Sequence, residues 1–103
     1  WYWETGSSMG ATLNVAVEKN AYCLTDRSTW INFRNKRDFE ILFEDDPRLF
    51  NQYGAILINP EKHSHVRVAE GLAFIDWLVG EEGQQAIASY TVGGEQLFFP
   101  NAK

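Results

Sequence analysis

The chain has 103 residues, a net charge of −5 and 45% hydrophobic residues, proportions of one ordinary folded domain that exclude a disordered chain. No apolar run nears the roughly 20 residues of a membrane-spanning helix; the longest is Ala55-Ile56-Leu57-Ile58. The acidic balance also argues against nucleic acid as a partner, since phosphates call for clustered Lys and Arg. The nearest approach to a basic cluster, Arg34-Asn35-Lys36-Arg37, reads instead as cations near a helix C-terminus.

The chain opens on Trp1-Tyr2-Trp3, with neither an initiator Met nor a signal peptide, and reads as the continuation of a longer protein. Residues 5–14, "TGSSMGATLN", pass from a run of small residues straight into a helix. Met9, Leu13, Ala16 and Val17 recur at the spacing of a helix with one buried face. Asn20 is its expected stop, because Asn tolerates the left-handed conformation that often ends helices. Residues 22–24 predict a short strand around Cys23, the sole cysteine, which can form no internal disulfide and so fixes no compartment. Thr25-Asp26 then caps a second helix over 27–35, with Trp30, Ile31 and Phe33 available for packing. Alternation over 39–44 predicts a half-exposed strand, which Asp45-Asp46-Pro47 breaks.

Residues 53–58 are nearly all apolar, as in a strand covered on both faces. Asn59-Pro60 ends it, and the polar loop "EKHSH" leads to a helix over 66–79. Leu72, Ile75 and Val79 mark its inner stripe, joined by Val68, Phe74 and Leu78. Gly80-Glu81-Glu82-Gly83 interrupts, a short helix follows over 84–90, and the tail "GEQLFFPNA" is extended with Leu97, Phe98 and Phe99 buried. Strands alternating with helices predict an α/β class with a mixed sheet flanked by helices. Only three or four strands are on offer, so cover for 53–58 is expected from strands that other residues supply.

Two helix starts are candidate binding sites. A Gly-Ser-Ser-Met-Gly turn lets an anion reach the unpaired N–H groups of a first helical turn, with the Ser7 and Ser8 hydroxyls adding bonds and no lysine required. The competing reading is an ordinary serine N-cap. The loop "LTDR" offers a second helix start, with Arg27 available to a carboxylate or to the anion because it does not face the adjacent Asp26; a surface cap beside a solvated arginine is the alternative there. His63 and His65, one residue apart, bring a metal to mind, yet nothing nearby completes a ligand set and a solvated loop is the simpler reading. Asp45-Asp46 and Glu81-Glu82 look like turn and helix-start residues. Ser7 and Ser8 match no nucleophile motif, so no enzyme, cofactor or metal is expected.

Four stretches, "GSSMGATLNVAVEKNAYCLTDRSTW", "DPRLFNQYGAILINPEKH", "AFIDWLVGEEGQQAIASY" and "GEQLFFPNA", resemble in continuous order the tungstate-binding component of bacterial ABC transporters. The resemblance implies part of a periplasmic-binding-protein type II fold, the C-terminal half, lacking the strands of the N-terminal half. It implies that 1–38 belongs to a second lobe, 39–52 crosses between lobes and 53–103 rejoins the first lobe. It further implies an extracytoplasmic solute-binding protein that takes up tungstate or molybdate without chemistry. Partners would be that oxyanion, a membrane permease, and the missing half or a second copy of the chain. The implied ligand residues are Ser7, Ser8, Met9, Gly10, Thr25 and Arg27, while Cys23 points into the core. The Thr/Ser-rich loop and the Arg-Gly-Asp segment of the family's N-terminal half do not occur here, so one wall of a site is expected. Two readings compete: the effector domain of a LysR-type regulator, which shares the two-lobe fold, and a truncated lobe with only an assembly role.

Overall fold

The computed structural model describes residues 1–102. The chain forms two compact units, Trp1–Asn51 and Gln52–Lys103, where composition alone predicted one domain. The first unit is built on two helices, α1 over Met9–Lys19 and α2 over Arg27–Asn32. Leu13, Ala16 and Val17 of α1 are buried, as the helical spacing requires. Asn20 closes α1 in the left-handed conformation, at φ 52°, its N–H bonded to the Ala16 and Val17 carbonyls. Lys19 Nζ lies 4.8 Å over the Trp3 ring, which ties the opening segment to the end of α1.

Helix α2 stops three residues short of the predicted 27–35. Phe33 turns into extended geometry with its N–H on the Trp30 carbonyl, and the Asn32 amide takes the Ser28 carbonyl at 2.9 Å. The cations expected inside the last turn therefore lie beyond it. Lys36 reaches back, with Nζ 3.4 Å from the Ile31 carbonyl and 4.9 Å over the Trp30 ring. A 3₁₀ turn over Pro47–Leu49 follows, capped by the Asp46 carboxylate on the Arg48 N–H at 2.8 Å.

The second unit holds α3 (Val68–Val79), α4 (Glu81–Ser89) and a hairpin of β1 (Thr91–Val92) with β2 (Glu95–Gln96). Gly80-Glu81-Glu82 does not merely interrupt: Gly80 ends α3 and caps α4, and both glutamates sit in the first turn of α4, where negative charge complements the helix dipole. Gly83 is the buried residue of α4, lying where its backbone meets the end of α3. Gln84 stitches the unit together, donating to the Leu78 carbonyl at 2.8 Å and accepting from the Ala102 N–H at 2.9 Å. The hairpin pairs Thr91 with Gln96 and Val92 with Glu95 across Gly93-Gly94, whose φ values of 60° and 85° are those a tight two-residue turn demands.

The three predicted strands at 22–24, 39–44 and 53–58 do not form: among the described residues β1 and β2 make the only sheet. The cover expected for 53–58 is likewise absent. Leu57 rests against Gly71 of α3 and Tyr53 meets Phe98 edge-on at 5.7 Å, but Ile56 stands 89% exposed. Helix α3 buries no residue, so its predicted stripe is only half covered. In the tail Leu97 is buried and Phe98 half-buried, whereas Phe99 is exposed. The class is thus mixed helix and sheet, with far less sheet than the sequence led one to expect.

Candidate functional site

Gly6 adopts a left-handed φ of 62°, turning the chain sharply before α1. Thr5 holds this turn to the helix: its hydroxyl meets that of Thr12 at 2.6 Å and accepts the Ser7 N–H at 3.4 Å. The Ser7 hydroxyl donates to the Thr5 carbonyl at 3.3 Å. Ser8 occupies the N-cap position but makes no side-chain cap bond. The first helical hydrogen bond runs from Thr12 N–H to the Ser8 carbonyl at 2.9 Å. Consequently the N–H groups of Ser8, Met9, Gly10 and Ala11 meet no acceptor among the described residues. No acidic side chain sits in that first turn to offset the partial positive charge. Around Gly10 the space is open: a Cβ there would meet nothing within 4 Å.

Helix α2 presents the opposite case. The Asp26 carboxylate accepts the Thr29 N–H at 2.7 Å and the Ser28 and Thr29 hydroxyls at 2.7 and 2.6 Å. Partial burial pushes the Asp26 carboxyl up, and these hydrogen bonds outweigh it, holding the group below its ordinary value. The anion position imagined at this helix start is filled by the protein's own carboxylate. Thr25 donates its hydroxyl to the Asp26 carbonyl at 3.2 Å, and Arg27 pairs with Glu44 at 3.0 Å. Of the six predicted ligand residues, Ser8, Met9 and Gly10 present open donors, Ser7 offers a hydroxyl already bonded, and Thr25 and Arg27 are engaged elsewhere.

What α2 does bring toward α1 is its polar flank. An open depression of about 450 Å³ is lined by Gly10 and Asn14 of α1, by Ser28, Thr29 and Asn32 of α2, and by Arg34 just beyond. Sequence reasoning named none of Asn14, Asn32 or Arg34 as site residues. A helical i, i+4 step from Gly10 to Asn14 was the available signal. Elsewhere, the His63 and His65 rings lie 6.0 Å apart on their loop, and no group of three or more metal-ligating side chains occurs among the described residues. Cys23 is half-buried, and burial pushes its thiol up, away from the reactive thiolate.

No protein-family model matches the chain. Comparison with curated proteins finds 40% identity to a Haloferax volcanii protein provisionally named an ABC transporter anion-binding protein, over 99% of this chain and 31% of that one. The tungstate-binding protein TupA of Peptoclostridium acidaminophilum is 36% identical over 99% of this chain and 36% of its own length. Among solved structures, the tungstate-binding protein TupA from Desulfovibrio alaskensis superposes with a TM-score of 0.75 at 39% identity, covering all of this chain and 43% of that one. The chain thus spans about a third to two fifths of the length of the proteins it matches.

Proposed function

We propose, from the premise that this chain is along its whole length a homologue of tungstate- and anion-binding proteins of ABC transporters, that it carries part of the oxyanion grip of a solute-binding protein. The cargo is a tetrahedral dianion, tungstate or molybdate, taken up outside the cytoplasm and passed to a membrane permease without being altered. The mixed sheet is completed by strands beyond the three segments that stand without ladders here, supplied by further chain or by a second copy. The lobe assignment of 1–38, 39–52 and 53–103 belongs to the same reading, with lobe closure over the anion as the state the permease recognises.

One observation carries this: α1 begins with four amides that no group among the described residues occupies, although a serine stands in the capping position. An anion placed there gains several N–H donors and the helix dipole at once, which is how a dianion can be held without a lysine or a metal. Ser8, Met9 and Gly10 are the residues assigned to it, with the Ser8 hydroxyl contributing a charge-assisted bond and the Ser7 hydroxyl another once it leaves the Thr5 carbonyl.

Isothermal titration of the full-length protein with tungstate, molybdate, sulfate and phosphate tests the function. Heat from tungstate or molybdate at micromolar protein is expected, and silence from all four anions refutes it. Gly10→Val tests the location. Its side chain enters open space on the protein side, so the fold persists while the anion's approach is blocked. Unchanged tungstate affinity in that variant would place the grip elsewhere.

A further inference from the structure

The chain has five arginines, and four of them sit against carboxylates. Arg27 pairs with Glu44, Arg37 with Glu18, Arg48 with Asp46 and Arg67 with Glu70. In the first unit the lysines are engaged as well, Lys19 over Trp3 and Lys36 over Trp30. Arg34 differs from all of these. Among the described residues it makes no ion pair, hydrogen bond or ring contact, and it lines the depression that Gly10, Ser28 and Thr29 also line. Gly10 belongs both to that wall and to the first turn of α1.

We propose that Arg34 is the residue that draws the anion to the start of α1, an inference that rests on the oxyanion binding argued above. The chain is acidic overall, at net −5, so a dianion approaching it is repelled before it can reach any amide. A guanidinium with a carboxylate against it presents little net field. Arg34 has no carboxylate against it among the described residues, and it lines the same depression as Gly10. Summed fields of this kind act mainly on association rates and are screened by salt. The guanidinium also presents paired donors that match two oxygens of a tetrahedral oxyanion, which a lysine does not. Arg27, adjacent to a helix start and singled out from the sequence, has its charge met by Glu44 and cannot serve in the same way.

Stopped-flow mixing of the full-length protein with sodium tungstate, followed by tryptophan fluorescence, tests the assignment. Arg34→Gln is expected to slow association about fourfold at low ionic strength, with the difference vanishing as salt approaches molar concentration. Its melting temperature stays that of the native protein, because Arg34 makes no hydrogen bond or ion pair among the described residues. Arg34→Lys restores most of the rate at low salt. Arg37→Gln removes the same charge away from the depression and leaves the rate unchanged. An Arg34→Gln rate equal to native at low salt overturns the inference, and so does equal slowing by Arg37→Gln, which would reduce the effect to net charge. A native protein that takes up no tungstate removes the oxyanion reading itself and this inference with it, an outcome visible before any variant is compared.

Discussion

Gly83→Ala is the substitution whose outcome the structure constrains most tightly. Gly83 is the third residue of α4, and on helix propensity alone alanine there gains at most about 1 kcal/mol. The geometry opposes this. A Cβ on Gly83 would lie 2.2 Å from the Trp77 carbonyl oxygen and 2.8 Å from both the Leu78 Cα and its carbonyl oxygen. All three are backbone atoms at the end of α3, so no rotamer change relieves the overlap. The helices must part by about an ångström, which also stretches the Gln84 side-chain bond to Leu78, 2.8 Å in the native chain. Overpacking against backbone costs about 3 kcal/mol or more at the upper end of the usual range. Set against the propensity gain, the net loss is about 2 kcal/mol, or roughly 8–16 °C in melting temperature for a domain of this size. Urea unfolding followed by circular dichroism measures it directly. A variant as stable as native, or more stable, would show that α3 and α4 do not meet at Gly83 and that propensity alone governs the position. Gly71→Ala provides the contrast: its Cβ would lie 2.6 Å from Leu57 Cδ1, a flexible side-chain end that can rotate away, so the cost should stay near 1 kcal/mol.

Gly10→Ala, whose Cβ meets nothing within 4 Å, should raise the melting temperature slightly without ligand, by up to about 1 kcal/mol of stability, while weakening tungstate binding measured by titration. Ser8→Ala should change stability by less than about 0.5 kcal/mol, below the ~1 kcal/mol usual at a helix cap, because Ser8 caps nothing; Asp26→Ala, which strips a working cap, should cost about 1–2 kcal/mol in the same urea series. The depressed Asp26 carboxyl adds a pH dependence of known sign: its contribution is fully present above the ordinary value of 3.8 and is lost as pH falls through the lower folded value. Asp26→Asn should flatten the urea midpoint against pH in that acid range, and an unchanged slope would refute the cap's ionic character. Ile56→Lys, on a residue 89% exposed, should cost less than about 0.5 kcal/mol in the 103-residue chain, read by thermal melting.

Helix α1 was legible because everything that defines it is local: the Leu13, Ala16, Val17 stripe and the left-handed Asn20 lie within one run of residues. The open amides were legible as a possibility but not as a fact, since a serine at Ser8 is equally suited to bond its own helix, and only the geometry shows that it does not. Arg27 illustrates a limit of another kind. Its neighbour Asp26 could be dismissed by spacing, but its partner Glu44, 17 positions on, depends on how the chain returns. The hairpin was readable and went unread: Gly93-Gly94 between Val92 and Glu95 is a strong two-residue turn signal. The ends of α2 and α4 were misplaced by a few residues, the first because the Asn32 side chain competes for a helix carbonyl, the second because Gly80 caps a helix as well as ending one.

The failure at 22–24, 39–44 and 53–58 has one cause, because a strand, unlike a helix, satisfies its backbone only through a neighbour. Apolar content records where a segment is suited to be buried, not whether a ladder stands beside it. The surface area bears this out. The chain exposes 8691 Å², against about 7,100 Å² for two separate compact bodies of half its mass each. The surplus is about 1,600 Å². Much of the exposed apolar area lies on these segments and on α3: Tyr22, Leu24, Leu42, Phe43, Ile56 and Phe74 are all exposed. On a single chain, an area of that order is about twice the roughly 800 Å² that one partner contributes to a standard specific interface. The same residues that made the sequence read as a larger sheet are thus the ones the structure leaves without cover, whereas α1 buries its stripe without any further strand and only the amides of its first turn stay open among the described residues.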